Sequence, residues 1–251
     1  MNEAAAAAPG LTLVMPCYNE EEAVEATIRD LFEEFERAGH VLEIVAVDNG
    51  SSDATFEVLE RLRAELPRLI TTRVEVNKGY GHGLLSGLWL GSAPWVGITC
   101  ADGQVSGHDV EKLFSVVVRS PAPKLVKVRR RFRMDGWQRK VASVAYNGLI
   151  TVMFPGLGSI DINGNPKLLP TDYARRMNLR SADWFLDAEI MIKSKRLGLQ
   201  VLEINVLAQM RDGGTSNVNL GTCWEFLVNL FRWRLGGTSE VEIDSGERAD
   251  A

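Results

Sequence analysis

A chain of 251 residues, 45% hydrophobic and 24% charged, has the make-up of an ordinary soluble protein and the length to bury one large core. A formal charge of −5 excludes a general nucleic-acid binder, and three scattered cysteines, Cys17, Cys100 and Cys223, exclude a disulfide framework or a zinc ribbon. No apolar run approaches the ~20 residues that cross a bilayer. The nearest, Leu149 to Leu157, is broken by Pro155 and Gly156. A cytoplasmic setting is expected, with peripheral contact to a membrane left open.

Residues 1–10 are alanine-rich, lack the positive start of a signal peptide and read as a flexible arm. Leu11 to Met15 reads as a strand, and Glu21 to Arg37 as an amphipathic helix closed by Gly39. Val41 to Val47 is a second apolar strand and Ser52 to Leu66 a second helix, stopped by Pro67. Arg73 to Val76 reads as a short third strand, Gly81 to Leu90 as a helix and Trp95 to Thr99 as a fourth strand. Leu125 to Val128 is a further strand, followed by a basic turn from Arg129 to Arg133. Val141 to Phe154 and Phe185 to Arg196 read as helices, the latter capped by Gly198, and Val201 to Val206 as a late strand. Trp224 to Arg234 reads as core packing with a basic edge, the alternative being a membrane-surface helix. Residues 236–251 form an acidic tail expected to be flexible.

This rhythm predicts an α/β fold, a Rossmann-like and mostly parallel sheet with helices on both faces, as a single domain over 11–235. In such a sheet the strand C-termini share one edge. Four turns then deliver polar groups to one crevice: Pro16 to Glu20, Asp48 to Asp53, Asn77, and Cys100 to Asp102. Asp102 and Gln104 pair a carboxylate with an amide oxygen just after a buried strand, a set suited to holding a hard cation against a diphosphate. The alternative for Asp102 is to cap the helix that starts near His108. Asp48 to Asp53 also has the chemistry of a turn and helix N-terminus, with Ser52 as the cap. Gly79, Gly81 and Gly83 match neither a P-loop nor a dinucleotide fingerprint and read as a tight turn and close packing. His40, His82 and His108 lack ligand spacing.

Five segments in order carry a family resemblance. Val14 to Glu20 resembles the opening motif of family 2 glycosyltransferases with the GT-A fold, and Val47 to Thr55 their Asp-Asp-Gly-Ser-x-Asp-x-Thr motif. Asn77 to Gly81 is similar to their Asn-x-Gly-x-Gly turn, and Cys100 to Gln104 to their Asp-Ala-Asp-x-Gln. Arg211 to Asn217 is similar to an Arg-x-x-Gly-x-Ser-Lys segment of the branch resembling dolichyl-phosphate mannose synthase and other polyprenyl-phosphate glycosyltransferases. The resemblance implies a nucleotide-sugar half over about 11–105 and an acceptor half over about 106–235. Pro16, Tyr18 and Glu20 would line the nucleotide pocket, Val47 and Asp48 would touch the base or ribose, and Asn49, Asn77, Cys100 and Ala101 would complete the donor site. Asp102 and Gln104 would meet Mg2+ or Mn2+ on the diphosphate of a UDP- or GDP-hexose. Arg211, with Ser216 and Asn217, would hold phosphate, joined by Arg129 or Arg131 from the basic turn. Cys100, Asn49 and Asn217 depart from the pattern, standing where it has Asp, Asp and Lys.

The acceptor decides the chemistry. An alcohol needs a general base as it attacks the anomeric carbon. Asp187 and Glu189, near a helix start, are the candidates, the alternative being N-terminal helix acids favoured by the dipole. Asp161 is a third candidate, to position acceptor or sugar. A lipid phosphate is already anionic and needs cations instead. The leading expectation is a metal-dependent inverting transfer of a hexose to a polyprenyl phosphate. Transfer to a soluble hydroxyl comes second, and a non-catalytic nucleotide-sugar binder third.

Overall fold

The computed structural model describes residues 7–131 and 147–207. Seven strands, β1 (Leu11–Cys17), β2 (Leu42–Asp48), β3 (Leu69–Arg73), β4 (Trp95–Ile98), β5 (Lys124–Arg131), β6 (Lys167–Pro170) and β7 (Gln200–Leu207), make one sheet in the order β3-β2-β1-β4-β6-β5-β7. β1 to β4 pair in parallel, as do β5 and β7. β6 runs antiparallel to both its neighbours, β4 and β5. The helices are α1 (Val24–Arg37), α2 (Thr55–Glu65), α3 (Tyr80–Gly87), α4 (Gly107–Val118), α5 (described over 147–153), α6 (Thr171–Met177) and α7 (Leu186–Arg196).

The central strands are apolar almost without a break because both faces of the sheet are covered. Leu11, Leu13, Met15 and Cys17 of β1 point into a core shared with α1, α2 and α4. Val14 points the other way, into a core shared with α3, α6 and α7. α1 contributes Val24, Thr27, Ile28, Leu31 and Phe35, spaced three or four apart on one helical face. α3 comes close to the sheet because Gly87 faces Val45 and Val47, where a Cβ would lie 2.5 Å from Val47 Cγ2. β1 lies between β2 and β4, whose connections leave in opposite directions across the sheet. This is the switch point at which open α/β sheets form a crevice beyond their strand ends.

The structure moves several expected elements. The strand beside β2 is Leu69–Arg73, not Arg73 to Val76: Val74 N–H closes the ladder on Asp48 O, and Val76 is 64% exposed. α2 starts at Thr55 rather than Ser52, with Ala54 at its N-cap position and no side-chain cap, and Asp53 Oδ1 accepts from Thr55 N just ahead of the helix. Ser106, not Asp102, caps α4, its Oγ accepting from Asp109 N. Arg129 to Arg131 do not turn. They extend β5 along β7, where Arg129 pairs with Asn205 and Arg131 with Leu207. β6 and α6 had no counterpart in the sequence reading.

Candidate functional site

A pocket of about 320 Å³ opens at the C-terminal edge of the parallel strands. Pro16, Tyr18 and Glu20 reach it from the β1 exit, Asn49 from β2, Asn77 and Gly79 from the turn before α3, and Cys100 and Ala101 from β4. The first four sequence motifs therefore meet in one place, although they are spread over more than eighty residues, while the fifth, Arg211 to Asn217, lies outside the described residues. Tyr80 and Trp184 complete the lining. Val47 and Asp48, expected to contact a nucleoside, are not among the lining residues. Both are fully buried. Val47 packs in the core around α3. Asp48 turns into its own loop, where Oδ1 accepts from Ser51 N and Oδ2 lies 3.0 Å from Arg73 Nε as an ion pair.

The loops hold one another by side-chain bonds. Asn19 Oδ1 accepts from Ser52 N, Ser51 Oγ accepts from Asn19 N, and Thr55 Oγ1 accepts from Glu20 N. Asn49 Nδ2 donates to Gly79 O at 3.1 Å and to Asn77 Oδ1 at 3.4 Å, joining the β2 exit to the turn that opens α3. Gly79 stands at φ +115°, and a Cβ there would lie 2.6 Å from Ala182 O, so this turn needs glycine. Burial, with Glu20 and Asp48 nearby, pushes the Cys17 thiol well up, leaving it a neutral core residue.

Asp102 is 9% exposed and follows Ala101 of the lining, though neither it nor Gln104 is itself a lining residue, and its Oδ1 accepts from Gln104 N at 3.2 Å. Among the described residues no three His, Cys, Asp or Glu side chains gather as a metal cage. One carboxylate and one amide oxygen at the strand end, from Asp102 and Gln104, fit a hard cation only if the rest of its shell comes from phosphate and water, the usual habit of magnesium, and the soft Cys100 thiol adds nothing to that set. The donor set therefore suits a cation that arrives with a diphosphate.

The two carboxylates expected on the acceptor side are buried and paired. Asp187 is 1% exposed, paired with Lys167 Nζ and accepting from Asn165 Nδ2 at 3.3 Å. Glu189 is fully buried, paired with Lys193 Nζ and accepting from Arg180 N and Ser181 N, so it anchors the loop before α7. Each carboxylate is thus held by a buried lysine, Lys167 for Asp187 and Lys193 for Glu189. Neither is among the residues that line the pocket. Asp161 is partly exposed, in a loop clamped by Glu203, which accepts from Ser159 Oγ and Ile160 N. Arg129 lies in β5, partly exposed. The side chains of Arg131, Arg211, Ser216 and Asn217 lie outside the described residues.

Sequence reasoning missed Gly79, Tyr80 and Trp184 as lining residues, and Asn165 and Lys167 behind them. Gly79 and Tyr80 sit inside the motif from Asn77 to Gly81, which was a usable signal. Trp184 is more than a hundred residues from Tyr80 and carries none.

The comparisons agree with this geometry. Residues 12–184, more than half of the chain, match the family described as Glycosyl transferase family 2. An undecaprenyl-phosphate mannosyltransferase of Micrococcus luteus is 23% identical over 234 residues, 90% of this chain and 95% of that protein. An undecaprenyl-phosphate 4-deoxy-4-formamido-L-arabinose transferase of Proteus mirabilis is 29% identical over 143 residues, 56% of this chain, and the match spans only 43% of that longer protein. The fold is that of glucosyl-3-phosphoglycerate synthase from Mycobacterium tuberculosis, solved with Mn2+, UDP-glucose and phosphoglyceric acid, at a TM-score of 0.70 and 20% identity over 93% of this chain and 82% of that one. Motifs, switch-point pocket and family match converge: this chain is a member of glycosyltransferase family 2, with the GT-A fold.

Proposed function

We propose that this protein transfers a hexose, with inversion, from a nucleotide sugar to a polyprenyl phosphate. The observation that carries the choice of acceptor is that Asp187 and Glu189 are both consumed by buried ion pairs with Lys167 and Lys193. An acceptor that needs deprotonation has neither of them to turn to. A phosphate monoester needs no base, and the mannosyltransferase likeness over most of both chains supports the same class. Pro16, Tyr18, Glu20, Asn49 and Asn77 hold the nucleoside, and Cys100 and Ala101 floor the diphosphate. Asp102 and Gln104 hold Mg2+ or Mn2+, which when bound offsets the charge on the departing nucleoside diphosphate. Arg211, with Ser216, Asn217 and Arg129 or Arg131, steadies the acceptor phosphate. A phosphate oxygen forms the new bond to the anomeric carbon as the bond to the diphosphate breaks, its electron pair leaving on that diphosphate.

Labelled UDP- and GDP-hexoses, offered with Mn2+ or Mg2+ and a short polyprenyl phosphate, should give product that extracts into organic solvent. Asp102→Asn should lose metal-dependent donor binding by calorimetry while melting within a few degrees of the parent. An unchanged metal titration in that variant would remove the cation assignment, and product formed only on hydroxyl acceptors would remove the acceptor.

The second reading, transfer to a soluble hydroxyl acceptor, is favoured by the fold shared with an enzyme solved with phosphoglyceric acid. Asp161 is then the base, and Asp161→Asn should abolish turnover on such acceptors alone.

A further inference from the structure

Tyr80 and Trp184 stack with ring centroids 4.6 Å apart and planes 5° from parallel, and both line the pocket. The pair is held from two sides. His82 N–H donates to Ala182 O at 2.8 Å, tying the segment before Trp184 to the first turn of α3. From the other side, Asn165 Nδ2 donates to the Tyr80 hydroxyl at 2.9 Å and to Asp187 Oδ2, while Asn165 Oδ1 accepts from Lys167 Nζ at 3.0 Å. Asn165 is 7% exposed and precedes β6, the neighbour of β4 across the sheet. The phenol end of Tyr80 therefore leans from the nucleoside side of the pocket toward the second half of the chain.

We propose that Trp184, stacked on Tyr80, is the wall that receives the transferred hexose, and that Asn165 is the positioning residue that sets it. The proposal rests on the nucleotide-sugar reading above. A hexose presents an apolar face of ring hydrogens that suits an indole plane, while its hydroxyls are left to the polar rim. Because the stack and the Asn165 bonds fix the wall before substrate arrives, little side-chain freedom is lost on binding. The buried Lys167–Asp187 pair thereby serves the site indirectly, by holding the amide that orients Tyr80.

Calorimetric titration of the full chain with UDP, UDP-glucose, GDP and GDP-mannose, with Mn2+ present, tests this without turnover. Trp184→Ala should weaken the nucleotide sugar that binds by about tenfold while leaving the matching nucleoside diphosphate within about twofold. Asn165→Ala and Tyr80→Phe should lower the same ratio, and the double variant should be no worse than either single one, since both act through one hydroxyl. Equal loss of nucleotide and nucleotide sugar in Trp184→Ala would overturn the proposal, because the wall would then serve the base or only the fold. Additive losses in the double variant would overturn the role of Asn165. Should Trp184→Ala fail to fold, Trp184→Leu keeps the bulk and gives the same comparison. A wild-type chain that binds neither nucleotides nor nucleotide sugars would overturn the donor reading itself, and this proposal with it.

Discussion

Asn49 stands where the resembling family has a second acid, and the structure supplies a local reason for the amide. Its Nδ2 donates to Gly79 O and Asn77 Oδ1, two acceptors that a carboxylate would repel. Asn49 is 3% exposed, so that repulsion is poorly screened by water. Asn49→Asp should cost about 1–3 kcal/mol at neutral pH, read from urea denaturation, and recover part of it below pH 4, where the new carboxyl can donate. A loss that does not shrink on acidification would show that the two acceptors are not the cause. Residue identity alone marked position 49 as unusual but gave no reason, because the acceptors arrive from a turn nearly thirty residues away. The same holds for Asp187 and Glu189, whose spacing suggested chemistry but gave no sign of the lysines they meet.

At the scale of elements, β5, β7 and the loop ahead of β6 form a unit built on a buried charge. Lys127 is fully buried and donates to Glu203 Oε1 at 3.1 Å, to Val128 O and to Asp161 O. Burial, reinforced by Lys167 on the paired strand and opposed by Asp161 and Glu203, pushes the Lys127 ammonium down from 10.5 to about 8. Burial pushes the Glu203 carboxyl up, but hydrogen bonds from Ser159, Ile160 and Lys127 together with the Lys127 charge outweigh it and hold the group below its ordinary value. Between about pH 8 and 10.5 the unfolded chain keeps the Lys127 proton that the folded chain has released, so this group makes stability rise with pH across that window. Glu203 acts at the acid end, its contribution present above its ordinary value and lost as pH falls through the lowered one. Denaturant melts from pH 7 to 10.5 should show the alkaline rise in the parent and lack it in Lys127→Met. An identical pH profile in the two proteins would sink the assignment. The sequence showed β5 as Leu125 to Val128 and put a turn at the arginines, since charged residues seldom continue a strand. Pairing with β7 carries the strand on to Arg131.

At the scale of the whole molecule, the sheet runs unbroken from β3 to β7 across the two halves, and β6, antiparallel to β4, is the join. The Lys167–Asp187 pair fastens that join to α7 and, through Asn165, to the pocket wall. Asp187→Ala should cost about 3–5 kcal/mol, because it leaves a buried ammonium without its carboxylate, and a paired Lys167→Met with Asp187→Leu should recover most of that. Urea denaturation checks both, and a loss below about 1 kcal/mol for Asp187→Ala would show that the pair does not hold the join. The sequence by itself determined β1, β2 and β4 of the parallel half and the loops at its edge, but misplaced β3. Apolar runs, helical spacing and turn residues are local signals, and parallel topology forces consecutive strand ends to one side. Only the tertiary structure decided which carboxylates are spent in ion pairs, that a strand as short as Lys167–Pro170 bridges the halves, and that Trp184 meets Tyr80. Those outcomes depend on contacts between distant segments, where burial and a partner's charge, not residue type, set what a side chain can do.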